Sequence, residues 1–219
     1  MHELLKSLPG GVHPRVTQGL AGNLEVEWNF PLQARKNCLA LIGHPHSLQG
    51  GTMQNKVVTT LVRLFSDFNV PSVRFNFRGV GQSAGTYDAG VGESDDMLLL
   101  ANAWLKAHPD STLFFAGFSF GSYVAYRAAA QIKHGLLLTV APSVQHYSYQ
   151  EFQSMPSPWI IAHGELDEVV PVSAVVEMVE SCAPNILLEL FANTGHFFHG
   201  QLIALKARLA HSLSEQGIL

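Results

Sequence analysis

The sequence predicts an α/β fold, with a mostly parallel central sheet flanked by helices on both faces. Three observations carry this expectation. Short apolar runs alternate with longer segments of helical period over most of the chain. Several of those runs are continuously apolar rather than alternating, as strands buried on both faces are. Glycine, proline and polar clusters punctuate the runs at their ends.

In chain order, residues 24–28 read as an early strand with alternating character, and 39–42 as a short apolar strand ending at Gly43. Residues 56–68 follow with Val57, Val58, Leu61, Val62, Leu64 and Phe65 at helical spacing. Pro71 interrupts, and 73–77 read as a strand. A glycine-rich loop, 79–92, leads to a helix over 93–106. Residues 112–117 form the next strand, and the alanine-rich stretch 119–131 the next helix. Strands are expected at 136–140 and 158–162, a helix at 172–179, a strand at 186–191 and a closing helix at 201–213. Strand–helix alternation requires crossover connections, and in such sheets ligands bind beyond the carboxyl ends of the strands. The loops to search therefore follow Ile42, Phe77, Phe118, Val140, Ala162 and Phe191.

Length and composition fit one domain over 1–219 with its core at about 22–213. An apolar fraction of 47% with 14% charged residues belongs to a globular chain rather than a disordered one. The net charge of −4, without a run of either sign, argues against nucleic acid or an anionic membrane surface as partner. Residues 1–9 are too short and too polar for a signal peptide, and no apolar stretch is long enough to span a bilayer. Cys38 and Cys182 are expected as reduced thiols. The expected compartment is the cytoplasm, and a homodimer is compatible with the sequence.

One of the searched loops holds Gly117-Phe118-Ser119-Phe120-Gly121, a G-x-S-x-G between a predicted strand and a predicted helix. A sharp strand-to-helix turn strains the serine and exposes its hydroxyl, and small residues two positions away on each side avoid clashes. The helix that starts there aims free N–H groups at the site, making the Phe120 N–H an oxyanion donor. The pentapeptide alone is a weak signal; its placement is what gives it weight. A serine that merely caps a helix is the plain alternative.

A serine nucleophile needs a base, and in this topology the acid and then the histidine follow it along the chain. The strand ending at Ala162 runs into His163-Gly164-Glu165-Leu166-Asp167-Glu168. Asp167 sits far enough into the loop to reach across; Glu165 and Glu168 are competitors, otherwise solvated carboxylates. The last strand is followed by Gly195-His196-Phe197-Phe198-His199, where His196 suits a base and His199 reads as a surface histidine. Ser119, Asp167 and His196 thus fall in the required order on three strand-end loops.

These segments, 117–121, 163–171 and 195–198, resemble the nucleophile, acid and histidine loops of the α/β-hydrolase superfamily. Two further stretches, 44–52 (His-Pro-His-Ser, then Gly-Gly-Thr) and 74–85 (Arg-Phe-Asn-Phe-Arg-Gly-Val-Gly-Gln-Ser-Ala-Gly), resemble small lidless members akin to dienelactone hydrolases and esterases. The resemblance covers about 22–213 and implies an α/β-hydrolase fold. It also implies a second oxyanion N–H from the loop after the strand at 39–42, at His46 or Ser47. Pro45 stands where the family usually has glycine and has no N–H to give.

Other motifs read more plainly. Gly79-x-Gly81-x-x-Ala84 follows a strand, but no helix begins at once, so a dinucleotide cofactor is not expected and Ser83 is a turn serine. His44, His46, His163 and His199 lack a carboxylate at ligand spacing, so no metal is expected; His44 and His163 should bond loop backbone instead. Phe114, Phe115 and Phe198 are expected in the core, while Ser47 and Phe197 stand as candidate substrate contacts. Only residues 141–157 separate the sixth strand from the acid-bearing strand, too few for a lid domain. The expected activity is hydrolysis of a small or short-chain carboxylic ester or thioester through an acyl-enzyme, without cofactor. A peptidase or thioesterase on the same residues, or a ligand-binding domain that does no chemistry, are the alternatives.

Overall fold

The computed structural model describes residues 2–153, 155–182 and 185–219. Eight strands form one sheet in the order β1-β2-β4-β3-β5-β6-β7-β8. The strands are β1 (Gly11–Gly19), β2 (Gly22–Phe30), β3 (Cys38–Gly43), β4 (Ser72–Phe75), β5 (Thr112–Phe118), β6 (Leu136–Val140), β7 (Trp159–Gly164) and β8 (Ile186–Phe191). The helices are α1 (His2–Ser7), α2 (Lys56–Asp67), α3 (Val91–Ala107), α4 (Phe120–Ala129), α5 (Val172–Ser181) and α6 (Leu202–Glu215). Strands β3 to β8 run parallel, while β2 is antiparallel to both β1 and β4.

The apolar runs become the sheet's interior because each is covered on both faces. Every residue of β3, β6 and β7 is buried. Along β5 the side chains alternate between two cores: Leu113 and Phe115 join Trp28, Trp104, Tyr126 and Trp159 on the side of α1, α3, α4 and α5. Phe114, Ala116 and Phe118 face Leu61, Phe65, Leu205 and Leu209 on the side of α2 and α6.

The structure departs from the sequence expectation chiefly at the N-terminus. The sheet begins at Gly11 rather than near residue 22, because β1 pairs with β2 along its full length. This strand is almost wholly exposed and carries Pro14, which an edge position tolerates. Elsewhere the boundaries shift slightly. The strand expected at 73–77 ends at Phe75, that at 158–162 extends to Gly164, and α3 begins at Val91. That earlier start follows from Glu93, whose carboxylate accepts the N–H groups of Asp88 and Gly90 and so closes the first turn.

Residues 141–158, between β6 and β7, hold no helix among those described. They lie on α4 through aromatic contacts: Tyr147 packs on Tyr123 and Phe120, and Tyr149 on Tyr126 and Trp159. Glu151 pairs with Arg127. A connection held this way is a strap, not a lid.

Candidate active site

The turn at Ser119 is built by close backbone approach. A Cβ on Gly117 would lie 2.0 Å from the Gly121 carbonyl oxygen, and one on Gly121 would lie 2.4 Å from the Gly43 carbonyl. Only glycine permits β5, α4 and β3 to meet this tightly. Ser119 itself takes φ 55° and ψ −120°, a strained region for a residue with a side chain, and precedes α4 rather than opening it. Its N–H donates to the Val140 carbonyl, and Ser122 Oγ donates to the Gly117 carbonyl, pinning the turn. No side-chain bond from Ser119 caps the helix, so its hydroxyl remains free for other partners.

The structure brings it together with His196 and Asp167. Ser119 Oγ lies 3.0 Å from His196 Nε2, and His196 Nδ1 lies 2.8 Å from Asp167 Oδ2. The other carboxylate oxygen of Asp167 accepts the N–H groups of Val169 and Val170, both at 2.8 Å, which fixes the direction of the first. Burial pushes the Asp167 carboxyl up, but the hydrogen bonds from His196, Val170 and Val169 outweigh it and hold the group below its ordinary value. The anion therefore faces Nδ1, so Nδ1 carries the proton and Nε2 is free to accept one. All three side chains are buried or nearly so.

The competing residues fall elsewhere. Glu165 is exposed, and so is His199, whose ring stacks on Phe197. Glu168 is exposed yet has a part that spacing did not reveal. Its carboxylate accepts the His196 N–H at 3.2 Å, and Leu166 N–H donates to the Thr194 carbonyl, so the acid and histidine loops are stitched backbone to backbone.

Around this relay, His44 bonds loop backbone as expected. Its Nε2 accepts the Phe77 N–H at 2.9 Å, its Nδ1 donates to the Pro45 carbonyl, and its ring stacks on Phe77. That pair of bonds requires the neutral ring, and burial lowers its pKa to about 4. His163 likewise donates from Nε2 to the Val170 carbonyl. Ser83 bridges the Glu25 N–H and the Asn76 carbonyl, a turn serine.

His46 turns its ring against Tyr87 and Phe120, and its carbonyl accepts the N–H groups of Gln49 and Gly51. Among the described residues the N–H groups of both His46 and Ser47 have no acceptor. The Ser47 hydroxyl is buried without a partner. Phe197 is 42% exposed beside His196 and Phe118, whereas Phe114, Phe115 and Phe198 are core.

No motif or spacing pointed to Ser143, whose Oγ lies 3.3 Å from Ser119 Oγ. Two surface grooves, about 630 Å³ between α2 and α6 and about 540 Å³ at the end of α4, are lined by none of these residues. Among the described residues, no three metal-ligating side chains gather, and no helix is long and apolar enough to cross a membrane.

A parallel sheet with a strained serine at one strand end, a histidine over it and no lid defines a lidless α/β serine hydrolase. Known proteins of this class are similar to the chain. An α/β serine hydrolase homologue from Coxiella burnetii is 39% identical, with 92% of this chain and 97% of that one covered and a TM-score of 0.87. An α/β serine hydrolase without lid from Xanthomonas campestris is 37% identical, covering 95% of this chain and 96% of that one with a TM-score of 0.89. An uncharacterized protein of Rickettsia prowazekii is 33% identical over 170 residues, 73% of this chain and 71% of the relative. No protein-family model matches. The chain belongs to the lidless α/β serine hydrolases and is a hydrolase.

Proposed function

We propose that the protein hydrolyses a small or short-chain carboxylic ester or thioester through an acyl-enzyme on Ser119. The observation that carries this is the unbroken run of hydrogen bonds from Ser119 Oγ through His196 to Asp167, at 3.0 and 2.8 Å. In the first step the Ser119 proton moves to His196 Nε2 while Oγ bonds the acyl carbon and the carbonyl electrons move to oxygen. Asp167 stabilises the resulting imidazolium and keeps its own proton count unchanged. The N–H groups of Phe120 and of His46, with Ser47 beside it, receive the oxyanion. His196 then protonates the leaving alcohol or thiol, and a water activated by the same ring releases the acid.

Two features support a small acyl substrate. The strap over 141–158 leaves no lid to wrap a long chain. The exposed Phe197 ring offers one apolar contact at the rim, beside His196.

The test pairs a fluorophosphonate probe with acyl esters and thioesters of graded length. Wild-type protein should label on Ser119 and turn over the shortest esters fastest, and Ser119→Ala should lose both. Labelling or turnover that survives Ser119→Ala refutes the proposal. A rate that climbs steadily with chain length refutes the short-chain part.

A further inference from the structure

We infer that Ser143 is a positioning residue for the nucleophile, holding Ser119 Oγ so that one lone pair faces the substrate. The inference rests on reading Ser119 as the nucleophile.

Ser143 stands two residues beyond Ala141, whose φ of 46° turns the chain sharply after β6. Its carbonyl accepts the N–H groups of His146 and Tyr147, which fixes its backbone at the start of the strap. Its side chain is buried, and among the described residues its hydroxyl has one hydrogen-bonding partner, Ser119 Oγ at 3.3 Å.

Proton bookkeeping gives that contact a direction. Asp167 holds the His196 proton on Nδ1, so Nε2 can only accept, and it accepts the Ser119 proton. Ser119 Oγ then offers only lone pairs to Ser143, so the Ser143 hydroxyl donates. Oγ has three directions besides its bond to Cβ. The proton points to His196, one lone pair receives Ser143, and one lone pair remains for the electrophile.

The topology says where that last direction points. Strands β3 and β6 flank β5 on opposite sides. Ser143 therefore comes to Ser119 from the side of β6, and His46 from the side of β3. Ser143 is thus no oxyanion donor; it occupies the side from which the carbonyl oxygen does not approach. At 3.3 Å the bond is longer than the usual O–H···O contact, and it can shorten as His196 draws the proton off and charge builds on Oγ. Ser143 keeps its own proton throughout.

The experiment compares fluorophosphonate labelling rates of wild-type protein, Ser143→Ala and Ser143→Thr, with melting temperature measured for each. Losing one neutral hydrogen bond at the reacting atom should slow labelling about fivefold in Ser143→Ala. The same factor should appear in kcat/KM for a short ester, carried by kcat with KM little changed, and Ser143→Thr should recover most of it. If Ser143→Ala does not fold, the near-isosteric pair Ser143→Thr and Ser143→Val decides, with the hydroxyl-bearing variant the faster. A folded Ser143→Ala that labels at the wild-type rate overturns the inference while leaving Ser119 as the nucleophile. So does a threonine variant no faster than valine. Labelling that survives Ser119→Ala instead overturns the nucleophile reading beneath it.

Discussion

Acid should unfold this protein partly through His44, and the size of the effect can be worked out. The ring is buried between Phe77 and the loop after β3, with Nε2 facing an N–H and Nδ1 facing a carbonyl. Burial disfavours the charged ring and outweighs the Pro45 bond that favours it, so the folded pKa falls from the ordinary 6.5 to about 4; the second proton would also have to sit on Nε2, against the Phe77 N–H. Between those values the unfolded chain binds a proton that the folded chain refuses. Stability therefore rises with pH across that window, is complete above it, and is lost progressively as pH falls toward 4. Integrating from pH 7 to pH 5 gives a loss of about 2 kcal/mol from this one group. Glutamine can offer an acceptor oxygen near the Nε2 position but does not titrate. His44→Gln should thus start lower by about 1 kcal/mol at pH 7, having lost the Pro45 bond. It should also lack that share of the acid loss. The assay is urea unfolding of both proteins at pH 5 and pH 7. Other groups that titrate in this range, His163 among them with its pKa lowered by burial, contribute equally to both proteins and cancel. If the gap between wild type and His44→Gln is the same at both pH values, the reasoning fails.

Two other substitutions test the site and its support. Asp167→Asn should keep its oxygen on the Val169 and Val170 N–H groups and turn its amide N–H toward Nδ1. That forces the proton to Nε2, and kcat for a short ester should fall by about 10⁴-fold in a folded protein; a drop under tenfold would show that Asp167 does not set the tautomer. Arg74 and Glu27 form a buried pair at 2.6 Å, and Arg74 also bonds Met53, Gln54 and Thr59, tying β2 and β4 to the segment that leads into α2. Arg74→Met alone should cost about 3–5 kcal/mol in denaturant unfolding by stranding Glu27, and adding Glu27→Leu should recover most of it. A double variant no more stable than the single one would argue against that account.

The elements that the sequence made legible are those whose burial leaves no choice. Residues 39–42, 112–117 and 136–140 are apolar apart from Thr112, Thr139 and the glycine at 117, because both faces of each strand are covered, and they appear as strands nearly where expected. Strand β1 was illegible for the opposite reason. An edge strand with exposed side chains and a proline carries neither alternation nor an apolar run, and only its pairing with β2 makes it a strand. The site divides the same way. Ser119 could be read because the turn that presents it constrains its neighbours to glycine, and that constraint is local. Asp167 could be favoured over Glu165 and Glu168 from its place in the loop alone, but the Val169 and Val170 N–H groups that orient its carboxylate exist as donors only once the loop has folded. Ser143 had no local signature at all, since its relation to Ser119 is made by two adjacent strands of the sheet.

The relay draws its three members from the ends of β5, β7 and β8, so its spacing depends on how those ends are held relative to one another. Between β7 and β8 the hold is independent of the relay: Glu165 N–H donates to the Phe191 carbonyl, Leu166 N–H to the Thr194 carbonyl and His196 N–H to Glu168. Between β5 and β3 it is the contact of Gly121 with Gly43, where no side chain fits. Across β6 it is the Ser119 N–H on the Val140 carbonyl. Removing the imidazole or the hydroxyl would leave each of these in place, and they are what hold Oγ, Nε2 and Oδ2 in line before substrate arrives. The strain at Ser119 is therefore carried by its N–H bond to Val140 on one side and the Gly121–Gly43 contact on the other, and neither the Ser119 hydroxyl nor the His196 ring spends a hydrogen bond on holding the backbone.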